Sequence, residues 1–228
     1  MLLKDLFFPK LCLGCGALGS YICLICEQKL KMLKIDTCIY CKRKSYMGLT
    51  HPDCKRKNGV DGVIGFYLYN SFMKKIIKNI KYRLATDVFK ELCSIIQPKL
   101  QKKLMFYKQI CKNGLLQPTP LHSTKLKLRG FNQAALIAQF FNTVLQMPII
   151  DYFERVKSTK SQAELKNRKS RYLNVRGAFK FKKNMELSRK PVIVVDDVIT
   201  SGYTVMELSR TIKRQGVEKV FVVALAKG

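Results

Sequence analysis

The stretch Val192-Ile193-Val194-Val195-Asp196-Asp197-Val198-Ile199-Thr200-Ser201-Gly202-Tyr203-Thr204 limits what this chain can fold into more than any other. Four branched apolar residues in a row suit a strand buried on both faces of a parallel sheet, and they stop at two carboxylates. Thr200, Ser201 and Gly202 then form a small-residue turn in which Gly202 frees the backbone for a positive φ. Thr204-x-x-Glu207 reads as a capping box opening a helix. A strand, a turn of hydroxyls and bare amides, and a helix N-terminus make an anion site, because unpaired N–H groups converge there with the positive end of the helix dipole. Carboxylates repel phosphate, so Asp196 and Asp197 suit neutral hydroxyls or a divalent cation instead. The expected ligand is a phosphorylated sugar with a free diol, its phosphate in Thr200–Thr204 and its hydroxyls on the two acids. The plainer alternative is a strand end, a capped helix and two solvated acids.

The same fold logic places a second anion site upstream. Leu115 to His122 reads as a short strand held extended by Pro118 and Pro120, followed by a basic loop from Ser123 to Gln133 that opens onto a helix. Alternating strands and helices from Leu115 to the closing strand Val220–Leu225 imply right-handed crossovers and a parallel sheet. Asp196 and the loop carrying Lys125, Lys127 and Arg129 then share the carboxyl edge of that sheet, where open α/β folds bind ligands. His122 is expected to be a structural hydrogen-bonding residue. Further expected elements are a strand at 62–69, a helix capped by Asn70 or Ser71 with lysines 74, 75, 78 and 81 on its solvated side, a helix from Thr86, and a strand at 148–153. Glu154 to Asn174, with a capping box at Ser161-x-x-Glu164, is expected to be a mobile basic lid.

Residues 12 to 54 carry Cys12-x-x-Cys15, Cys23-x-x-Cys26, Cys38-x-x-Cys41 and His51-x-x-Cys54. A C-x-x-C turn presents two thiolates to one tetrahedral ion, and a second such turn completes the shell. The preferred pairing puts Cys12, Cys15, Cys23 and Cys26 on one zinc and Cys38, Cys41, His51 and Cys54 on another. An interleaved site joining Cys12/Cys15 to Cys38/Cys41 also fits the spacing. Glu27 to Leu33 reads as a short helix closing the first site. Residues 1–58 are thus expected to form a metal-stapled module and 59–228 an α/β body, with Cys93 and Cys111 as buried, inert thiols.

The 228 residues hold 43 Lys and Arg against 15 Asp and Glu, a net charge of +28 that attracts polyanions, nucleic acid first and an anionic membrane surface second. No run reaches the roughly 18 apolar residues of a membrane-spanning helix. Nine cysteines without an export signal favour metal over disulfides, so a cytoplasmic protein is expected, with peripheral contact to the inner face of the membrane as a further option.

The Asp-Asp motif with its small hydroxyl residues resembles the phosphoribosyl-pyrophosphate (PRPP) motif of type I phosphoribosyltransferases. Together with the tandem cysteine pairs, Arg129-Gly130-Phe131-Asn132-Gln133, Thr159-x-x-Gln162 through Arg171, Asn174-Val175 and Gly177-Ala178-Phe179, it resembles the ComF/ComFC family of competence proteins over nearly the whole chain. The resemblance implies a phosphoribosyltransferase-like α/β domain behind a zinc finger, acting in natural transformation where incoming single-stranded DNA reaches the cytoplasm, beside the inner-membrane DNA-uptake machinery or other competence proteins. It assigns PRPP to Asp196, Asp197, Val198, Ile199, Thr200, Ser201, Gly202, Tyr203 and Thr204, with Lys125 and Arg129 at the pyrophosphate and Mg²⁺ accompanying it. Two features depart from the pattern: His51 replaces a thiolate, and the sequence reaches Gly228 immediately after its last strand, so no long C-terminal hood recognising a base is expected. A DNA-handling protein that uses the fold to sense PRPP is therefore weighed against an active Mg²⁺-dependent phosphoribosyltransferase and against a basic zinc-stapled interaction protein. Aromatic residues among the lysines of 66–81 and 171–183 are candidate base-stacking groups.

Overall fold

Alternate residues of the central strands are buried on opposite sides, so the sheet must be covered on both faces. In the computed structural model, which describes residues 9–82, 85–159, 167–182, 187 and 189–228, β1 (Gly62–Leu68), β2 (Leu115–Pro118), β5 (Val192–Ile199) and β6 (Val220–Lys227) form one parallel sheet in the order β1-β6-β5-β2. Ile64, Phe66, Leu116, Ile193, Val195, Val223 and Leu225 face one core. It is closed by α2 (Ser71–Tyr82), α3 (Ala85–Ile110) and α5 (Gln133–Leu145). Val63, Leu115, Val192, Val194, Val220 and Val222 face the other, closed by α7 (Tyr203–Lys213) and a small antiparallel ribbon of β3 (Phe153–Arg155) and β4 (Phe179–Phe181). The α/β class with a parallel central sheet is as the sequence implies.

Several local expectations change. The strand carrying the acids does not stop at them: Val198 and Ile199 keep register with Ala226 and Lys227, so Asp196 and Asp197 lie inside β5. The capping box is absent. Gly202, at φ 82°, is the N-cap of α7, Thr204 sits in the first turn, and the buried Glu207 carboxylate instead accepts from the Gly177 N–H at 2.8 Å. The basic loop is a helix, α4 (Ser123–Arg129), started by His122, whose Nδ1 accepts from the Thr124 N–H, and ended by Gly130 at φ 78°. This agrees with a structural His122. The expected strand at 148–153 is reduced to a bridge between Ile149 and Leu116, with pairing resumed only at Phe153. Beyond Ile96 the helix α3 continues to Ile110 because Leu100, Leu104 and Tyr107 extend the same buried stripe.

The cysteine-rich segment packs into both cores. Cys12, Tyr21, Ile22 and Cys26 join the first, and Ile39 joins the second. The Glu91 carboxylate of α3 accepts from the Tyr21 and Ile22 N–H groups at 3.1 and 2.6 Å. The helix expected at 27–33 is replaced by α1 (Leu24–Glu27) and an extended segment. There Leu33 donates to the Phe66 carbonyl and Leu68 to that of Lys31, which satisfies the otherwise open edge of β1.

Candidate ligand cleft and metal clusters

At the carboxyl edge of the sheet, β5 delivers Asp196 and Asp197 into the floor of a cleft of about 180 Å³. Its rim is the turn Thr200–Gly202 and the first turn of α7; opposite stand Thr119 after β2, Lys125 and Arg129 on α4, and Gln133 at the start of α5. Both acids are almost fully buried, at 8% and 6% exposure. The Asp197 carboxylate holds the Lys81 ammonium at 2.6 Å and is approached by Gln133 Nε2 at 3.5 Å. Gln133 in turn accepts from Arg129 at 3.0 Å, so a chain of polar contacts links α4 to the acids and to the end of α2. The Asp197 N–H donates to Asp196 Oδ1 at 2.9 Å and the Val198 N–H to Asp197 Oδ1 at 2.7 Å.

The two acids are electrostatically unequal. Burial pushes Asp196 up, to about 8, and the neighbouring Asp197 charge adds to the rise. Burial also opposes ionisation of Asp197, but the Lys81 charge and hydrogen bond outweigh it and hold that carboxyl below its ordinary value. Lys81 is raised correspondingly, Asp197 overcoming the effect of burial. The two carboxyls thus resist ionising together, and the negative charge is favoured on Asp197 beside Lys81. Such a pair can both donate to and accept from a vicinal diol.

Around this floor the cleft is cationic. Lys81, Lys125, Arg129 and Arg155 all line it. Arg155 lies over the Phe179 ring, 5.4 Å from its centroid, and its burial lowers its pKa. Its Nε and the Thr119 hydroxyl are buried without a partner among the described residues. Unsatisfied buried donors in a cationic cleft are what an incoming oxyanion would pair. Lys125 Nζ donates to the Thr159 carbonyl at 2.8 Å, which ties α4 to the start of the basic segment.

The eight zinc-ligand candidates fall into two clusters with the preferred pairing: Cys12, Cys15, Cys23 and Cys26 in one, Cys38, Cys41, His51 and Cys54 in the other. Within each, the donor atoms all lie within 4.8 Å of one another. The interleaved pairing is thereby excluded. In the second cluster His51 Nδ1 is 3.3 Å from Cys41 Sγ, while Nε2 is 3.1 Å from the Lys44 carbonyl. That outer hydrogen bond places the ring proton on Nε2 and leaves Nδ1 as the donor to a metal, as in other histidine sites. Four soft donors at this spacing fit zinc.

Among known proteins, the chain is 38% identical over 113 residues to competence protein F of Haemophilus influenzae, a match covering 48% of each chain. It thus spans about half the length of that relative. To competence protein ComFC of Bacillus subtilis it is 26% identical over 86% of this chain and 79% of the relative. To DNA utilization protein YhgH of Salmonella typhimurium it is 25% identical over 96% and 97%. No protein-family model matches the chain. The chain is thus similar in sequence to the ComF/ComFC competence proteins. The Asp-Asp motif at β5 brings Asp196, Asp197, Val198, Ile199, Thr200, Ser201, Gly202 and Thr204 to the cleft together with Lys125 and Arg129. Tyr203 alone of the expected set lies outside it and lines a second cavity. Tyr69, Lys81, Thr119, Gln133 and Arg155 are cleft residues that sequence reading left out. The sequence places Lys81 on a solvated lysine face, and only its position as the penultimate residue of α2, paired with Asp197 of β5, distinguishes it. Most aromatic residues proposed to stack bases are core: Phe66, Tyr67, Phe72 and Phe179 are buried, whereas Tyr172 is 38% exposed. The lid residues 160–166, including the Ser161 and Glu164 capping box, lie outside the described residues.

Proposed function

We propose that the cleft binds PRPP and that the protein acts in DNA uptake, handling incoming single-stranded DNA at the cytoplasmic face of the uptake machinery. The observation that carries the PRPP reading is the convergence of a buried acid pair with a positive-φ glycine turn at a helix N-terminus and four surrounding cations. In this reading Asp196 and Asp197 grip the ribose hydroxyls. The amides and hydroxyls of Thr200–Thr204 hold the 5′-phosphate, and Lys125, Arg129 and Arg155 face the pyrophosphate. Zinc in the two clusters is structural, with all four positions taken by protein donors. The negative charge on Asp197 is already compensated by Lys81, which does not suit a resident divalent ion, so Mg²⁺ arrives with the diphosphate. The DNA part of the reading is supported by the names of the relatives, competence protein and DNA utilization protein, and by the +28 charge.

A second reading, phosphoribosyl transfer to an unidentified nitrogenous acceptor, draws on the same cations, which would neutralise a departing pyrophosphate. Calorimetry with PRPP and Mg²⁺ on the wild type and on the Asp196→Asn/Asp197→Asn variant tests the ligand: binding by the wild type alone is expected, and equal binding by both, or none by either, refutes it. Pyrophosphate release over a panel of bases separates transfer from binding.

A further inference from the structure

A second cavity, of about 300 Å³, lies on the other side of α7 from the acid cleft. Tyr203, Met206, Glu207 and Arg210 line it at i, i+3, i+4 and i+7 spacing, one face of the helix, whereas Thr204 and Val205 turn to the cleft. Tyr40, Arg56 and Asn58 of the cysteine-rich segment form its second wall, and Tyr172 of α6 (Arg168–Val175) forms the third. Three elements remote in sequence thus bring three tyrosines and two arginines around one opening. The Arg56 guanidinium lies over the Tyr40 ring at 4.6 Å, and the rings of Tyr172 and Tyr203 meet edge to face at 6.1 Å. Tyr40 is held in place, its hydroxyl accepting from the Val60 N–H at 2.8 Å. Glu207 is held likewise by the Gly177 N–H.

The chemistry selects the occupant. Aromatic faces beside guanidinium groups favour a flat π-system attached to an anion. The single carboxylate, engaged by a backbone amide and 3.8 Å from Arg210, excludes a metal cage while offering an acceptor to a ring N–H or amino group. The volume is at the lower end of small-molecule sites, about 300–1,000 Å³, which suits one base rather than a folded duplex.

We infer that this cavity seats one unpaired nucleobase of a DNA strand, stacked among Tyr40, Tyr172 and Tyr203, with Arg56 and Arg210 at the adjoining phosphates. The inference rests on the single-stranded DNA reading above and assigns it a location. Because Tyr203 follows Gly202 directly, strand and PRPP would bear on opposite sides of one helix turn.

The test uses the full zinc-loaded chain, labelled oligothymidylate, and a strand of the same length built of abasic sites. The wild type is expected to bind oligothymidylate about 5- to 100-fold more tightly, the range of one stacked base. Tyr172→Ala should reduce that ratio towards one with the slope of log K against log salt unchanged, and Tyr172→Phe should keep it. A strand carrying 5-iododeoxyuridine should crosslink to the peptide of Tyr40, Tyr172 or Tyr203. Salt-dependent binding that is equal for the two strands, or a ratio unmoved by Tyr172→Ala, overturns the pocket and leaves the DNA reading standing. Absence of binding to either strand by the wild type overturns both.

Discussion

Replacing Lys81 with methionine removes the cation paired with Asp197 while leaving a side chain of similar length. The ammonium is 2.6 Å from Asp197 Oδ2, and the two side chains are 25% and 9% exposed. At that distance the attraction is about 6 kcal/mol for an effective permittivity of about 20. Desolvation of both charges takes back part of it, and removing one partner of a buried pair costs about 3–5 kcal/mol. Because a quarter of the Lys81 side chain reaches solvent, about 3 kcal/mol is expected, a loss in Tm of roughly 6–12 °C for a chain of this size.

The pH dependence identifies the cause. In the wild type Asp197 is held below its ordinary value, so its contribution is present above about pH 3.9 and is lost as pH falls through the depressed pKa. Without Lys81, burial is opposed only by the hydrogen bonds from Asp196 and the Val198 N–H, the pKa rises, and the variant loses stability as pH climbs above about 3.9. Both slopes open the gap on the same side: Tm values should converge in acid and separate towards neutrality. Thermal scans between acidic and neutral pH, with Asp197→Asn in a double-mutant cycle, measure it. Equal Tm at neutral pH, or a gap independent of pH, would refute the assignment of the pair as a buried electrostatic lock.

Three further outcomes are expected. Glu91→Ala removes the carboxylate that accepts from the Tyr21 and Ile22 amides; it should cost about 1.5–3 kcal/mol and speed metal loss from the first cluster, read with a chromogenic zinc indicator, while the second cluster keeps its rate. Chelation should release two zinc ions per chain and lower Tm. Cys12→Ser and Cys38→Ser should each leave one ion by elemental analysis, and retention of both by either variant would contradict the assignment. Gly202→Ala forces a side chain into φ 82° with its Cβ 3.0 Å from Ile39 Cδ1; a loss of about 1–2 kcal/mol together with weaker PRPP binding by calorimetry is expected, and unchanged affinity would argue against the turn as the phosphate site.

The contrast between β5 and α2 shows what kind of information a sequence carries. The β5 motif is legible because strand, acids, turn and helix start are contiguous, and each residue type has a local reason to be there. Even there the local rules misplace two details. Val198 and Ile199 remain in the sheet because β6 offers them partners, and Glu207 does not cap its helix because Gly177, thirty residues away, uses it. Lys81 has no local signature at all: Lys74, Lys75 and Lys78 share its helix and its composition. What sets it apart is the docking of α2 beside β5, a long-range fact. His122 is intermediate, since the type is unusual as an N-cap and only the Thr124 N–H at its Nδ1 shows why the basic segment becomes a helix.

The cysteine segment carries the same lesson into function. Spacing identifies the eight ligands, but it leaves their pairing open and gives no reason to connect them with the anion turn. The structure supplies that connection. Ile39, between Cys38 and Cys41, is buried in the core beneath α7 and fills the space that a side chain at Gly202 would need. The Lys227 ammonium donates to the Thr37 carbonyl and hydroxyl, tying the same knuckle to the end of β6. The second cluster is thus one wall of the turn as well as a staple of its own loop. Metal loss there should loosen Gly202 and lower PRPP affinity, whereas loss from the first cluster, which packs against α2 and α3, should lower stability with little change in affinity. A Cys38→Ser variant that retained full PRPP affinity at a temperature where it is folded would refute the coupling, and a Cys12→Ser variant serves as the matched control.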